Sequence, residues 1–177
     1  MPRFIGGEFC GKDNEDFLVS RFDEFDTIFP ACINKKPRYF FETGSDSLAQ
    51  ILNEITVSES ALWVPENFCM ESLKRARNKV AEKTLPIRFW RDAEQLFSDL
   101  SQGESVLFVH FNGYDEKSRD EILSVTTEKG AILIEDYVQS PLEIGRSKGD
   151  YAFNSLRKFA FAAISVCYAN GQESAEY

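Results

Sequence analysis

Two stretches of this chain hold the residue types from which chemistry could be built: Ile134-Glu135-Asp136-Tyr137-Val138-Gln139 and Ser155-Leu156-Arg157-Lys158. The first closes an apolar run, Ala131-Ile132-Leu133-Ile134, with two acids. A buried strand of an α/β sheet has this form when it carries a carboxylate out at its C-terminal end. The second places a hydroxyl three residues before a lysine, beside the aromatic Phe159 and Phe161. Together they supply a buried acid, an amide, a hydroxyl and an amine. A neutral amine attacks an aldehyde, a buried acid keeps a ring nitrogen protonated, and hydroxyls donate to a phosphate. Pyridoxal 5'-phosphate (PLP) is a cofactor that needs all three.

Lys158 is the candidate for covalent attachment of that aldehyde. Desolvation and nearby positive charge favour the neutral amine. Phe159 and Phe161 offer an apolar wall, and Arg157 offers the charge. A solvated surface lysine is the plainer alternative. Asp136 is the candidate for the pyridinium nitrogen, against the alternative of a loop acid capping a helix. Gly44, Ser45 and Ser155 are candidates for the phosphate. Glycine lets the backbone approach closely, and a following helix offers free N–H groups and a positive dipole end. A plain turn and cap explains Gly44-Ser45 equally well. His110 lies in an apolar run, where a hydrogen-bonded core histidine is the default.

Five segments in order carry a family resemblance: Phe4-Ile5-Gly6-Gly7-Glu8-Phe9, then Glu42-Thr43-Gly44-Ser45-Asp46-Ser47-Leu48, then Val109-His110-Phe111-Asn112-Gly113-Tyr114, then the Glu135-Asp136…Gln139 segment with Gly149-Asp150, and last Ser155…Lys158. In these the chain resembles the DegT/DnrJ/EryC1-like sugar aminotransferases, a group of fold-type I PLP-dependent enzymes. The resemblance implies PLP as cofactor and Lys158 as catalytic residue. It implies a hydrogen bond from Gln139 to the ring's 3′-oxygen and an aromatic residue stacked on the ring. Phe68 is the better stacker, although counting from Pro65 without a gap puts Cys69 in that slot. It further implies amino transfer from an amino-acid donor to a nucleotide-linked keto-sugar, and a homodimer whose partner subunit completes the site.

There are two departures from the family. After the lysine the family usually shows a glycine pair in a short loop; here the chain reads Ala162-Ala163-Ile164-Ser165-Val166-Cys167. Family members also carry a smaller C-terminal domain, whereas this sequence stops at Tyr177. The expectation is therefore a large domain alone, and the alternative is a truncated or degenerate, non-catalytic relative with a binding or assembly role. A Rossmann-like nucleotide binder is disfavoured, because no GxGxxG follows a strand pattern.

The elements that must position these residues alternate. Helical spacing runs over 13–28, 47–55, 70–81, 93–100 and 116–127, with Leu73, Ala76 and Val80 as the inward face of the third. Strand patterns run over 39–42, 61–64, 85–90, 105–111 and 131–134, and the most apolar of them do not alternate in polarity. The fold class expected is α/β: three layers, a mostly parallel sheet with helices on both faces, as in a PLP-dependent transferase large domain. In such a sheet function sits at the carboxyl ends of the strands. Gly44-Ser45, Pro65 to Phe68, Asn112-Gly113 and Asp136 all fall there.

Composition narrows the setting. A chain of 177 residues permits one domain with a sizeable core and hardly two. Hydrophobic residues at 43% and charged residues at 28% are ordinary for a globular protein. A net charge of −9 opposes nucleic acid or an anionic membrane as partner. No apolar run reaches membrane-spanning length and no secretory h-region opens the chain, so a cytoplasmic setting is expected. Cys10, Cys32, Cys69 and Cys167 lack CxxC spacing, which favours free, mostly buried thiols over metal or disulfides.

Overall fold

A computed structural model describes residues 39–55, 60–80, 85–111, 113, 115–158 and 165–169, the side chains of Leu142 and Lys158 excepted. The expected helix at 13–28, the signature at 4–9, Asn112, Tyr114, Cys10, Cys32 and the segment 159–164 lie outside the described residues.

In chain order the elements are β1 (Tyr39–Phe41), α1 (Gly44–Ile55), β2 (Leu62–Pro65), α2 (Met70–Arg77), β3 (Ile87–Trp90), α3 (Ala93–Asp99), β4 (Ser105–Val109), α4 (Glu116–Lys129), β5 (Ile132–Asp136), a 3₁₀ segment (Pro141–Arg146), β6 (Tyr151–Phe153), a 3₁₀ turn (Leu156–Lys158) and β7 (Ser165–Ala169). The seven strands form one sheet in the order β1-β7-β6-β5-β4-β2-β3. Strands β2 to β6 are mutually parallel. β7 runs antiparallel to both β6 and β1.

Burial explains why the central strands read as unbroken apolar runs. Every residue of β2 and of β4 is buried, because helices cover both faces. On one face, Leu48, Ile51 and Leu52 of α1 and Leu73 and Ala76 of α2 pack on Val64, Leu107, Val109, Ile134 and Phe153. On the other, Leu96 of α3 and Ile122 of α4 pack on Trp63, Val106, Phe108 and Leu133. Alternate residues of one strand thus serve opposite layers.

Local signals set the helix ends. Asp92 caps α3 by accepting from the Gln95 N–H at 2.9 Å. Asp115 does the same for α4, accepting from Ser118 N–H at 3.0 Å. Gly130 ends α4 with φ 62°, the left-handed geometry that glycine adopts without a Cβ clash. No helix among the described residues is long and apolar enough to cross a membrane.

The structure corrects three expectations. α1 begins at Gly44, not Ser47, so Gly44 and Ser45 are its first residues rather than a preceding turn. α2 ends at Arg77, and Val80 follows it half-buried. Residues 165–167, expected to belong to a loop after the lysine, open β7 instead. The two described cysteines are both free, as expected, Cys167 buried and Cys69 exposed.

Gly149 shows how tightly the loop before β6 lies on β5. A Cβ added there would stand 2.9 Å from the Leu133 carbonyl oxygen and 3.0 Å from its Cγ. Backbone of a central strand cannot retreat from it. Gly149→Ala should therefore cost about 2 kcal/mol, as overpacking does. A thermal melt should show a loss of roughly 4–8 °C for a chain of this size. An unchanged melting temperature would mean that the strand yields freely.

Candidate active site at the carboxyl edge of the sheet

The cleft of interest lies where β1, β2, β4, β5 and β6 end. Thr43, Gly44, Ser45, Leu48, Phe68, Cys69, Ser72, Val109, Phe111, Asp136, Val138, Gln139, Phe153, Ser155 and Arg157 form its wall. All six candidate cofactor residues, Gly44, Ser45, Phe68, Asp136, Gln139 and Ser155, are in that set. The backbone of Lys158 ends the 3₁₀ turn that carries Arg157, while the Lys158 side chain is outside the described part.

Each wall residue is placed by a neighbour. Gly44 opens α1 against Ser155 and Val138: a Cβ there would stand 3.2 Å from Val138 Cγ2 and 3.4 Å from Ser155 Cβ. Thr43 caps α1, accepting from Asp46 N–H at 3.2 Å through its hydroxyl. That hydroxyl in turn donates to the Asp46 carboxylate at 2.7 Å. Burial alone would raise the Asp46 carboxyl, but hydrogen bonds from Lys79 and Thr43 outweigh it and hold it below its usual value. The Lys79 charge beside it offsets an acid that would otherwise repel an anion at the helix N-terminus.

Ser155 follows Asn154, a buried residue that knits β6 to β7. The Asn154 backbone N–H donates to Val166 O at 3.0 Å, and its side-chain oxygen accepts from Val166 N–H at 3.0 Å. Ser165 donates to the Asn154 carbonyl, and its hydroxyl meets that of Ser47 in α1 at 2.6 Å. These bonds tie α1 to the turn before Lys158.

Asp136 ends β5 and is 4% exposed. One carboxylate oxygen accepts from Val138 N–H at 2.7 Å, and its carbonyl accepts from His110 N–H at 3.1 Å. Glu135 points to the opposite face and is fully buried. It accepts from His110 Nε2 at 3.1 Å, from the Tyr137 hydroxyl at 2.7 Å and from the Lys148 and Gly149 N–H groups at 2.6 Å each. Burial would raise the Glu135 carboxyl, yet these four donors outweigh it and hold it below its ordinary range. Asp115 N–H donates to His110 Nδ1 at 3.2 Å, so the neutral ring carries its proton on Nε2, toward Glu135. His110 is thus a hydrogen-bonded core histidine, with Phe108 edge-on at 4.9 Å and Tyr137 at 4.2 Å between ring centres.

No protein-family model and no curated protein matches the sequence. Solved structures do match. A Streptococcus pneumoniae protein described as a sugar aminotransferase, in its PMP form, superposes with a TM-score of 0.71 at 10% identity, over 99% of this chain and 54% of its own. The fold is that of the large domain of PLP-dependent transferases. An aminotransferase from Psychrobacter cryohalolentis gives 0.65 at 13% identity, over 96% and 49%. A 3-amino-5-hydroxybenzoic acid synthase gives 0.62 at 16%, over 96% and 51%. The chain spans about half the length of these structures. At such identities the likeness concerns the fold.

Several wall residues escaped sequence reasoning. Phe111 carried a usable signal, since it stands just past the end of a buried strand. Thr43 carried a weaker one as a helix cap. Ser72, inside α2, carried none. Phe68 and Cys69 both line the cleft, Phe68 also joining the core at 8% exposure.

Proposed function

We propose that this chain binds PLP and serves amino transfer from an amino-acid donor to a nucleotide-linked keto-sugar, as a homodimer. The observation that supports the reading is the convergence of Gly44, Ser45, Phe68, Asp136, Gln139 and Ser155 on one cleft at the carboxyl edge. The residues suit the group. Gly44 keeps open the space a Cβ would fill beside Ser155, at a helix N-terminus of the kind that receives phosphate. Amides and hydroxyls there fit the phosphate, one carboxylate fits the pyridine nitrogen, and Phe68, beside Cys69 in the wall, is the aromatic side chain that could stack on the ring. The enclosed volume is about 100 Å³. That is below the roughly 300–1,000 Å³ typical of small-molecule sites, so the bound group would extend toward solvent.

When bound, PLP supplies an aldehyde that bonds amines and a ring that accepts electron density. Asp136 would hold a proton at the ring nitrogen, and Gln139 would bond the ring's 3′-oxygen. Ser45, Ser155 and the first amides of α1 would fix the phosphate and so orient the ring. Lys158 would bond the aldehyde carbon at rest and later move the proton taken from the substrate Cα.

The test is a PLP titration of the full chain, followed by visible absorbance, beside Asp136→Asn. Wild type should develop a saturable visible band. Asp136→Asn should weaken binding about tenfold, the scale of one charge-assisted hydrogen bond. A wild-type chain that stays colourless at millimolar PLP would end the proposal. Amino transfer from glutamate to a nucleotide-linked keto-sugar then tests the substrate class.

A further inference from the structure

We infer that Glu135 and His110 are positioning residues that hold Asp136 in the cleft, although neither lines it. The inference rests on the PLP reading and deepens it. Its ground is the geometry behind β5. Glu135 and Asp136 are consecutive on a strand, so their side chains leave opposite faces of the sheet. Whatever fixes the Glu135 carboxylate fixes the strand end that aims Asp136 the other way.

Glu135 is fixed from three directions. His110 reaches it from the end of β4, Tyr137 from just past β5, and the Lys148 and Gly149 amides from the loop before β6. His110 binds twice, its ring to Glu135 and its backbone N–H to the Asp136 carbonyl. The loop is held in its turn by α4, where Arg119 donates to the Arg146 carbonyl at 2.9 Å. Lys148 also meets Asp120 at 3.3 Å. With four donors on two oxygens, the carboxylate has little freedom to rotate or retreat.

A buried ionised acid is a costly way to join three segments that apolar side chains could join as well. What an acid adds is direction: it sets the angle and register of the strand end to within a hydrogen bond. The ring nitrogen of PLP is held protonated only while a carboxylate lies in line with it. A strand end that can shift would lose that alignment first.

The experiment uses the full chain and PLP labelled with nitrogen-15 in its ring. The nitrogen resonance reports protonation directly, and titration gives the affinity. Wild type should show a protonated ring nitrogen. Glu135→Gln places an amide NH₂ against donors on one side of the clamp. It should lower PLP affinity about tenfold, as loss of one charge-assisted bond does, and move the resonance toward the unprotonated position. Leu96→Ala, a cavity in the core beneath α3, is the control for lost stability and should leave the resonance unchanged. If Glu135→Gln does not fold, His110→Asn removes the ring's bond to Glu135 and should shift both readouts the same way to a smaller degree. Folded Glu135→Gln, or failing that His110→Asn, with wild-type affinity and a protonated nitrogen overturns the inference. So does an equal shift in Leu96→Ala, which would make the effect one of stability. A wild-type chain that binds no PLP removes the functional reading together with this one.

Discussion

Replacing Lys158 with alanine should abolish the covalent attachment of PLP to this chain. Among the side chains proposed for the cleft, an amine alone forms with the aldehyde a bond that borohydride makes permanent. Gly44, Ser45, Asp136, Gln139 and Ser155 hold without bonding. The variant should therefore still bind PLP weakly through the phosphate and ring contacts, while losing the product that borohydride traps. Digestion and mass analysis of the reduced protein should find the cofactor on the Lys158 peptide of wild type and on no peptide of the variant. Any amino transfer should fall by roughly 10²–10⁴-fold, the worth of a positioned proton carrier. The turn itself should survive, because the buried Leu156 anchors it. Trapped cofactor on another lysine of the variant would move the catalytic role elsewhere.

Glu135→Ala should be the most damaging single change to stability. It removes an acceptor from the His110 ring, the Tyr137 hydroxyl and the Lys148 and Gly149 amides at once. Leaving buried donors unpaired costs about 1–3 kcal/mol each, less where water enters the space. A total near 4 kcal/mol is expected, a large part of the roughly 5–15 kcal/mol that hold a domain folded. Urea unfolding should show the midpoint falling steeply, or no cooperative transition. Acid gives a second view. The folded-state pKa of Glu135 lies below its ordinary 4.5. Its contribution is thus fully present above that value and is lost as pH falls through the lowered one. Wild type should lose stability more steeply than Glu135→Gln below about pH 4.5. Parallel acid limbs would show that the carboxylate contributes nothing as an ion.

Much of the architecture could be read from periodicity. β2, β4 and β5 are apolar without alternation because both faces are covered, and that pattern identifies a parallel sheet before any coordinate is known. α3 and α4 carry their caps in sequence, at Asp92 and Asp115. β6 could not be read: Tyr151-Ala152-Phe153 is too short to show a period. β7 was hidden because Ser165 to Ala169 continues an apolar stretch, and its antiparallel course is set by pairing partners far away. Of the six candidate cofactor residues, Asp136 was legible as an acid after a buried strand and Gly44 and Ser45 as a turn leading into a helix, with Ser155 as a hydroxyl three residues before a lysine, whereas Gln139 and Phe68 came from the family resemblance alone. Arg157 reads in sequence as a charge beside Lys158, and nothing local marks it as part of the wall. Glu135 and Asp136 form a pair of acids in sequence, and nothing in the local pattern separates the one that faces the cleft from the one the core holds. Only the register of β5 against β4 and β6 assigns them to different faces.

The place of β7 between β6 and β1 has a kinetic consequence. β1 finds its partner in β7, with Tyr39 opposite Cys167, and the Ser47–Ser165 hydroxyl pair joins the same two regions. Nearly the whole described chain lies in the loop that this pairing closes. Closure entropy grows with loop length, and long-range pairings of this kind slow folding. The parallel strands β2 to β5, with α2, α3 and α4, can assemble from contacts much nearer in sequence. On a ribosome, then, α1 could already pack on β2, β4 and β5 while β1 had no strand beside it, and the Ser47–Ser165 bond that locks the first turn of α1 in place would form only after β7 had emerged.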